Sequence, residues 1–271
     1  MPNKNRHMAK LISRCFQTLK SRRYLLSRFL RTFTVLVTLA GVLSVCRLSH
    51  AESIEIGLER LEYAPYYTTM EEPLRGAAID LLQRFEQLTP YTVSFNVLLV
   101  ARLLTSQLQR KVLYKFPANP TWAQNAKESH TIYYSDPVFQ YTDGTLIKVE
   151  NQGKEMRSIG VVRGFTPWDY LSDIEMKKLN LVEGPTLSGM IKMLNAGRID
   201  GLYCNIKVAE QLLTEVLGDK HEIIFESNLP HTTSFYYLSS SGDARLIELF
   251  NVYLQQDQSF IEALKAQYGI H

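Results

Sequence analysis

The sequence predicts an α/β fold of two lobes, each an open sheet flanked by helices, with a cleft between them. The first observation behind this is a repeated module: a short apolar strand ending in Ile-Gly, then an Arg, then aromatic residues around a Pro. It runs Ile54, Ile56, Gly57, Arg60, Tyr63, Pro65, Tyr66 in one copy and Ile159, Gly160, Arg163, Phe165, Pro167, Tyr170 in the other. The second is that helical periodicity follows each copy, so both read as the opening of an open α/β sheet, whose ligands sit beyond the carboxyl ends of the strands. The third is a pair of crossovers, one near Asp143-Gly144, a turn or crossover signal, and one near Pro230-His231, which make the tail return to the first lobe.

The elements follow in order. Ile54 and Ile56 alternate in a first strand, and Tyr63 to Tyr67 form a ring-rich loop. After Gly76, the residues Ile79, Leu82, Phe85 and Leu88 share one helical face. Thr92 to Leu98 reads as a strand, Ala101 to Gln109 as a helix, and Val112 to Phe116 as a strand ended by Pro117 and Pro120. In the second half Thr166-Pro167 predicts a helix start, and Ser172 with Glu175 a capping box. Thr186 opens a helix that Gly197 stops, and Ile199 to Tyr203, Lys207 to Leu217 and Glu222 to Phe225 read as strand, helix and strand. Phe235 to Leu238 is strand-like, and two helices complete the chain from Asp243.

The N-terminus is set apart by charge. No acidic residue precedes Glu52, whereas ten Lys or Arg do, and the apolar run Phe33 to Cys46 is short for a membrane span. Ser49 and Ala51 supply small residues for a cleavage site, so residues 1–51 are expected to be a signal peptide that directs export to the periplasm. An uncleaved membrane-anchoring segment is the alternative. Cleavage turns the formal charge of +3 into an excess of acid, 20 Lys and Arg against 27 Asp and Glu. An acidic surface argues against nucleic acid as a partner. Of Cys15, Cys46 and Cys204, cleavage leaves Cys204 alone, so no intramolecular disulfide is expected.

In order, Ile56-Gly57 with Tyr63-Ala64-Pro65, Gly76 with Asp80-Leu81-Leu82, Tyr134-Ser135-Asp136-Pro137, Ile159-Gly160-Val161 and Gly197-Arg198-Ile199-Asp200 span the chain from about Ile54 to Tyr268. In this series the sequence resembles the periplasmic solute-binding proteins of polar-amino-acid ABC uptake systems. The resemblance implies the type II periplasmic-binding-protein fold with a two-crossover hinge. Lobe 1 comprises residues 52–143 and the return segment 231–271, and lobe 2 residues 144–230. It implies capture of a small polar ligand, amino-acid-like or anionic, by lobe closure. An ABC permease would be the partner, and the protein itself a monomer.

Two family anchors are altered. The stretch Thr121 to Thr131, where the family carries a carboxylate-binding Arg, holds Lys127 as its nearest cation, and the position of the ammonium-binding Asp is Asn205. An amide offers dipolar hydrogen bonds where a carboxylate offers charge. The remaining candidates for ligand contact are Tyr63, Tyr66, Tyr67 and Trp122, as stacking rings or as packing wedges. Arg163 with Thr166 reads either as an anion site at a helix start or as a solvated loop. Asp136 and Asp200 read as structural. His130 and His231 are isolated, and no HExxH, CxxC, phosphate-loop or nucleophile-elbow motif is present, so no metal, cofactor or catalytic residue is expected. Two alternatives stay open: a cyclohexadienyl-dehydratase-like enzyme on the same scaffold, for which Glu62 is the group to ask about, and a ligand-sensing receptor domain.

Overall fold

A computed structural model describes residues 52–69 and 73–271. The signal peptide expected in residues 1–51 lies outside the described residues. The first half contains β1 (Glu52–Glu59), the two-residue strands β2 (Glu62–Tyr63) and β3 (Tyr67–Thr68), α1 (Ala77–Leu88), β4 (Tyr91–Leu98), α2 (Val100–Leu108), β5 (Tyr114–Ala118), α3 (Gln124–Lys127) and β6 (Tyr133–Tyr134). A ten-residue strand, β7 (Phe139–Lys148), leads to β8 (Ser158–Val162), α4 (Leu171–Glu175), β9 (Asn180–Gly184), α5 (Leu187–Asn195), β10 (Gly201–Asn205), α6 (Ile206–Leu217) and β11 (Ile223–Phe225). The nine-residue β12 (Thr232–Ser240) then runs back to α7 (Arg245–Gln256) and α8 (Gln258–Tyr268). No helix among the described residues is long and apolar enough to cross a membrane.

The repeated module occupies the same place in both halves. β1 pairs in parallel with β4 and β5, and β8 pairs in parallel with β9 and β10. The shared Ile-Gly has a packing reason. A Cβ on Gly57 would lie 2.4 Å from Leu103 of α2, and one on Gly160 would lie 2.5 Å from both Met190 of α5 and Ile199. In each half glycine therefore lets side chains from beside the sheet rest directly on its central strand.

The two halves are joined by the crossovers themselves. β7 and β12 pair antiparallel from Phe139↔Tyr236 to Asp143↔Thr232, so the sheet order is β4-β1-β5-β12-β7-β10-β8-β9. The two open sheets expected from sequence are thus continuous through the hinge strands. Asp143-Gly144 makes no turn, because it lies within β7 and pairs with Asn205 and Cys204 of β10. Its glycine admits Phe225, whose ring would be 2.5 Å from a Cβ there. Asp200 is structural as expected, accepting hydrogen bonds from the backbone N–H groups of Arg157 and Ser158 and from the Ser158 hydroxyl.

Gly76 holds the tyrosine loop against α1. Its φ is +118°, and a Cβ would lie 2.6 Å from the Tyr67 Cα and 2.7 Å from the Tyr66 carbonyl oxygen. The next two amides donate to Pro65 and Tyr66 carbonyls at 3.1 and 2.8 Å. Gly76→Ala is expected to destabilise the fold by at least about 2 kcal/mol, from a forbidden backbone region and a clash with main chain that cannot give way. A urea titration checks this; a change below about 0.5 kcal/mol, the size of an ordinary surface substitution, would contradict it.

Candidate functional site

The site forms where the end of β1, β5 and the middle of β7 meet the loop after β8. Glu59 closes β1, Lys115 lies in β5 and Asp143 in β7, and all three are about 95 % buried. They line one cavity of about 350 Å³ with Asn119, Trp122, Lys127, Tyr134, Phe165, Thr166 and Trp168 among its walls. A second cavity of about 190 Å³ shares Phe165 and is bounded by Glu62, Tyr63, Thr186, Tyr203 and Asn205. Both draw walls from each half of the chain, so the cleft lies between the lobes.

The cationic side chains that line the larger cavity are committed to protein groups. Lys115 Nζ pairs with Glu59 Oε1 at 2.9 Å, donates to the Pro117 carbonyl at 2.6 Å and lies 5.4 Å from the Trp122 ring centre. Lys127 Nζ donates to the carbonyls of Asn119 and Pro120, each at 3.0 Å, and to the Tyr134 hydroxyl at 2.9 Å. An ammonium has three donors, so these partners use all of them. Burial first, and then the charge of Lys115, lowers the Lys127 pKa to about 8.

Asp143 is the converse case. Its Oδ1 is buried without a hydrogen-bond partner. Burial, with the neighbouring charge of Asp169, raises its pKa to about 7. Asp169 itself is satisfied, accepting from the Tyr203 hydroxyl at 2.6 Å and the Thr232 hydroxyl at 2.8 Å.

An aromatic wall surrounds these charges. Tyr141 and Tyr236 stack at 4.3 Å between ring centres, and the Trp122 indole N–H donates to the Tyr141 hydroxyl at 3.2 Å. Tyr63, Tyr236 and Asn205 form a chain across the cleft, hydroxyl to hydroxyl at 2.5 Å and amide to hydroxyl at 2.8 Å. The Asn205 Oδ1 meanwhile caps α6 by accepting from the Val208 N–H.

The sequence-expected contacts divide accordingly. Trp122, Lys127 and Thr166 line the larger cavity and Tyr63 and Asn205 the smaller. Tyr66 and Tyr67 are fully buried and line neither, packing instead as wedges beneath Tyr63. Arg163 is exposed and lies outside both linings. The helix start expected at Thr166-Pro167 is a three-residue 3-10 turn, Trp168–Tyr170, so no helix N-terminus backs Arg163 as an anion site. Sequence reasoning passed over Glu59, Lys115 and Asp143. A Lys flanked by Tyr114 and Phe116 inside an apolar strand was a signal for the second of these.

Glu62 fastens the lobes. Its carboxylate accepts from the Ser188 N–H at 3.0 Å and the Ser188 hydroxyl at 2.8 Å, in the first turn of α5. A carboxylate there also meets the positive end of the helix dipole. Glu62→Ala removes these charge-assisted bonds and is expected to shift the lobe equilibrium toward the open form by about 10- to 100-fold. Solution scattering should show a larger radius of gyration for the unliganded variant; an unchanged radius would contradict the latch.

No family model and no curated protein matches the chain. Solved structures do match it. A histidine kinase sensor domain with similarity to periplasmic binding proteins superposes with a TM-score of 0.66 at 17% identity, covering 82% of this chain and 98% of that one. An ancestral arginine-binding protein bound to arginine gives 0.65 at 16% identity, over 81% and 99%. The GluR0 ligand-binding core in complex with L-glutamate gives 0.66 at 12% identity, over 80% and 98%. The chain therefore has the two-lobed fold of the periplasmic binding proteins.

Proposed function

We propose that this chain is an exported binding protein that captures a small polar molecule between its lobes and releases it unchanged. The observation that carries the reading is the interlobe cavity of about 350 Å³, large enough for a small solute and lined by rings and a few buried polar groups. The fold, shared with proteins whose structures hold arginine or glutamate, supports it. Glu62, the group asked about for dehydratase chemistry, is committed to Ser188, which favours binding over that chemistry at this residue. The basic, acid-free N-terminus supports export to the periplasm, with delivery to an ABC permease as the role.

A thermal-shift screen of the protein against amino acids, organic acids, polyamines and sugars tests this, followed by recovery of each stabilising compound. A ligand that favours the native state raises its apparent stability. Stabilisation with the compound recovered intact is expected; chemical conversion would replace binding by catalysis.

A second reading has its own support in the likeness to a kinase sensor domain: occupancy of the cleft is reported to a signalling partner. Deleting the gene separates the two, since uptake predicts loss of solute import and sensing predicts intact import with a lost transcriptional response.

A further inference from the structure

We propose that the captured molecule carries an N–H-bearing cation, an ammonium or guanidinium group, and that Asp143 is the residue that receives it. The inference rests on the binding reading above and names the ligand class of that same cleft.

Asp143 is held rigidly, with its strand paired to β10 on one side and β12 on the other. It is 6 % exposed, lines the larger cavity, and has one carboxyl oxygen with no partner. Buried polar atoms in native proteins are almost always paired, so an unpartnered acceptor on a residue that lines a cavity calls for a donor. The nearby protein donors are already in use: Lys115 on Glu59 and Pro117, Lys127 on two carbonyls and Tyr134, and the Tyr203 and Thr232 hydroxyls on Asp169.

The rest of the wall suits the same guest. Trp122, Phe165 and Trp168 line the cavity with Asp143, and aromatic faces attract cations in a desolvated site. Burial and Asp169 raise the Asp143 pKa to about 7, and an arriving cation would favour its ionised form. An anionic ligand in the larger cavity is disfavoured by the same geometry, because Arg163 lies outside its lining and Lys127 has no donor to spare. The ligand charge is thus opposite to the one that counting Arg163 and Lys127 in the sequence suggests.

The test uses matched probes on the full chain: butylguanidine against N-butylurea, 1,5-diaminopentane against 1,5-pentanediol and 1,4-diaminobutane against 1,4-butanediol, with glutarate and succinate as anions. At least one cationic probe is expected to raise the Tm while its uncharged counterpart does not. Asp143→Asn is expected to fold and to weaken that probe at least tenfold, and Trp168→Ala, on an exposed wall, to weaken it less. Trp168→Ala keeps the test open should Asp143→Asn fail to fold. Tight binding of neutral or anionic probes, or cation binding unaffected by both substitutions, would overturn the inference and leave the binding reading intact. If no probe moves the Tm, the inference falls; release of an intact solute from natively purified protein would then still uphold the binding reading, and its absence would remove both.

Discussion

Replacing Lys115 by methionine is expected to lower the stability of the protein by about 3–5 kcal/mol, because it leaves Glu59 as an uncompensated buried charge. Both side chains are only 6 % exposed and their ion pair is 2.9 Å long. The same substitution removes the 2.6 Å hydrogen bond to the Pro117 carbonyl and the contact over Trp122. Replacing both partners behaves differently, since a neutral pair leaves no charge to solvate. Glu59→Gln with Lys115→Met is therefore expected to recover most of the loss. Urea titrations of the wild type, the single variant and the double variant decide the matter. A single-variant loss below about 1 kcal/mol, the range of solvent-exposed pairs, would contradict burial of the pair.

Asp143→Asn is expected to stabilise the unliganded protein, and to do so only above acidic pH. The unfolded chain releases this proton near 3.8, whereas the folded chain holds it to about 7. As pH rises through that window the unfolded state binds fewer protons than the folded state, so wild-type stability falls, and it is constant with respect to this group above about 7. A rise of this size corresponds to at most about 4 kcal/mol. Asparagine is neutral throughout and escapes the penalty. The tyrosines around Asp143, namely Tyr63, Tyr141, Tyr203 and Tyr236, are raised above their ordinary range by burial and do not titrate in the window. Thermal unfolding at pH 4 and pH 8 should show nearly equal proteins at the lower pH and a more stable variant at the higher. An equal gap at both would contradict a buried, unpaired carboxyl.

Neither Lys115 nor Asp143 was legible as a cleft residue in the sequence, although much of the fold around them was. The strand–glycine module was legible because it reflects local packing: in each half the central strand must admit side chains from beside the sheet, and glycine is the residue that allows it. Helices showed through their apolar faces, and Thr186 through its cap, which accepts from the Gly189 N–H. The hinge was harder to read. Asp143-Gly144 carries turn chemistry, yet lies within a ten-residue strand, because pairing with β10 and β12 on both sides outweighs the local preference. The turn expectation also hid Asp143 as a cleft residue. β9 was passed over because Asn180–Gly184 is half exposed and lacks clear alternation.

The candidate contacts show the same division. Tyr63, Trp122, Lys127, Thr166 and Asn205 line the cleft because the loops after the strands necessarily face it. Spacing does not fix side-chain direction, so Tyr66 and Tyr67 turn into the core and Arg163 toward solvent. Nor does spacing show commitment. Lys127 counts as a free cation in the sequence and is fully occupied in the fold.

The cleft between the lobes is expected to hold a small molecule. A crystal structure of the natively purified protein, with its retained solute identified by mass spectrometry, tests this most directly. The expected result is density for that solute in the cavity bounded by Trp122, Asp143 and Trp168, with an N–H group on the free oxygen of Asp143. Density for the solute outside this cleft, with the cavity filled by ordered water alone, would contradict the account.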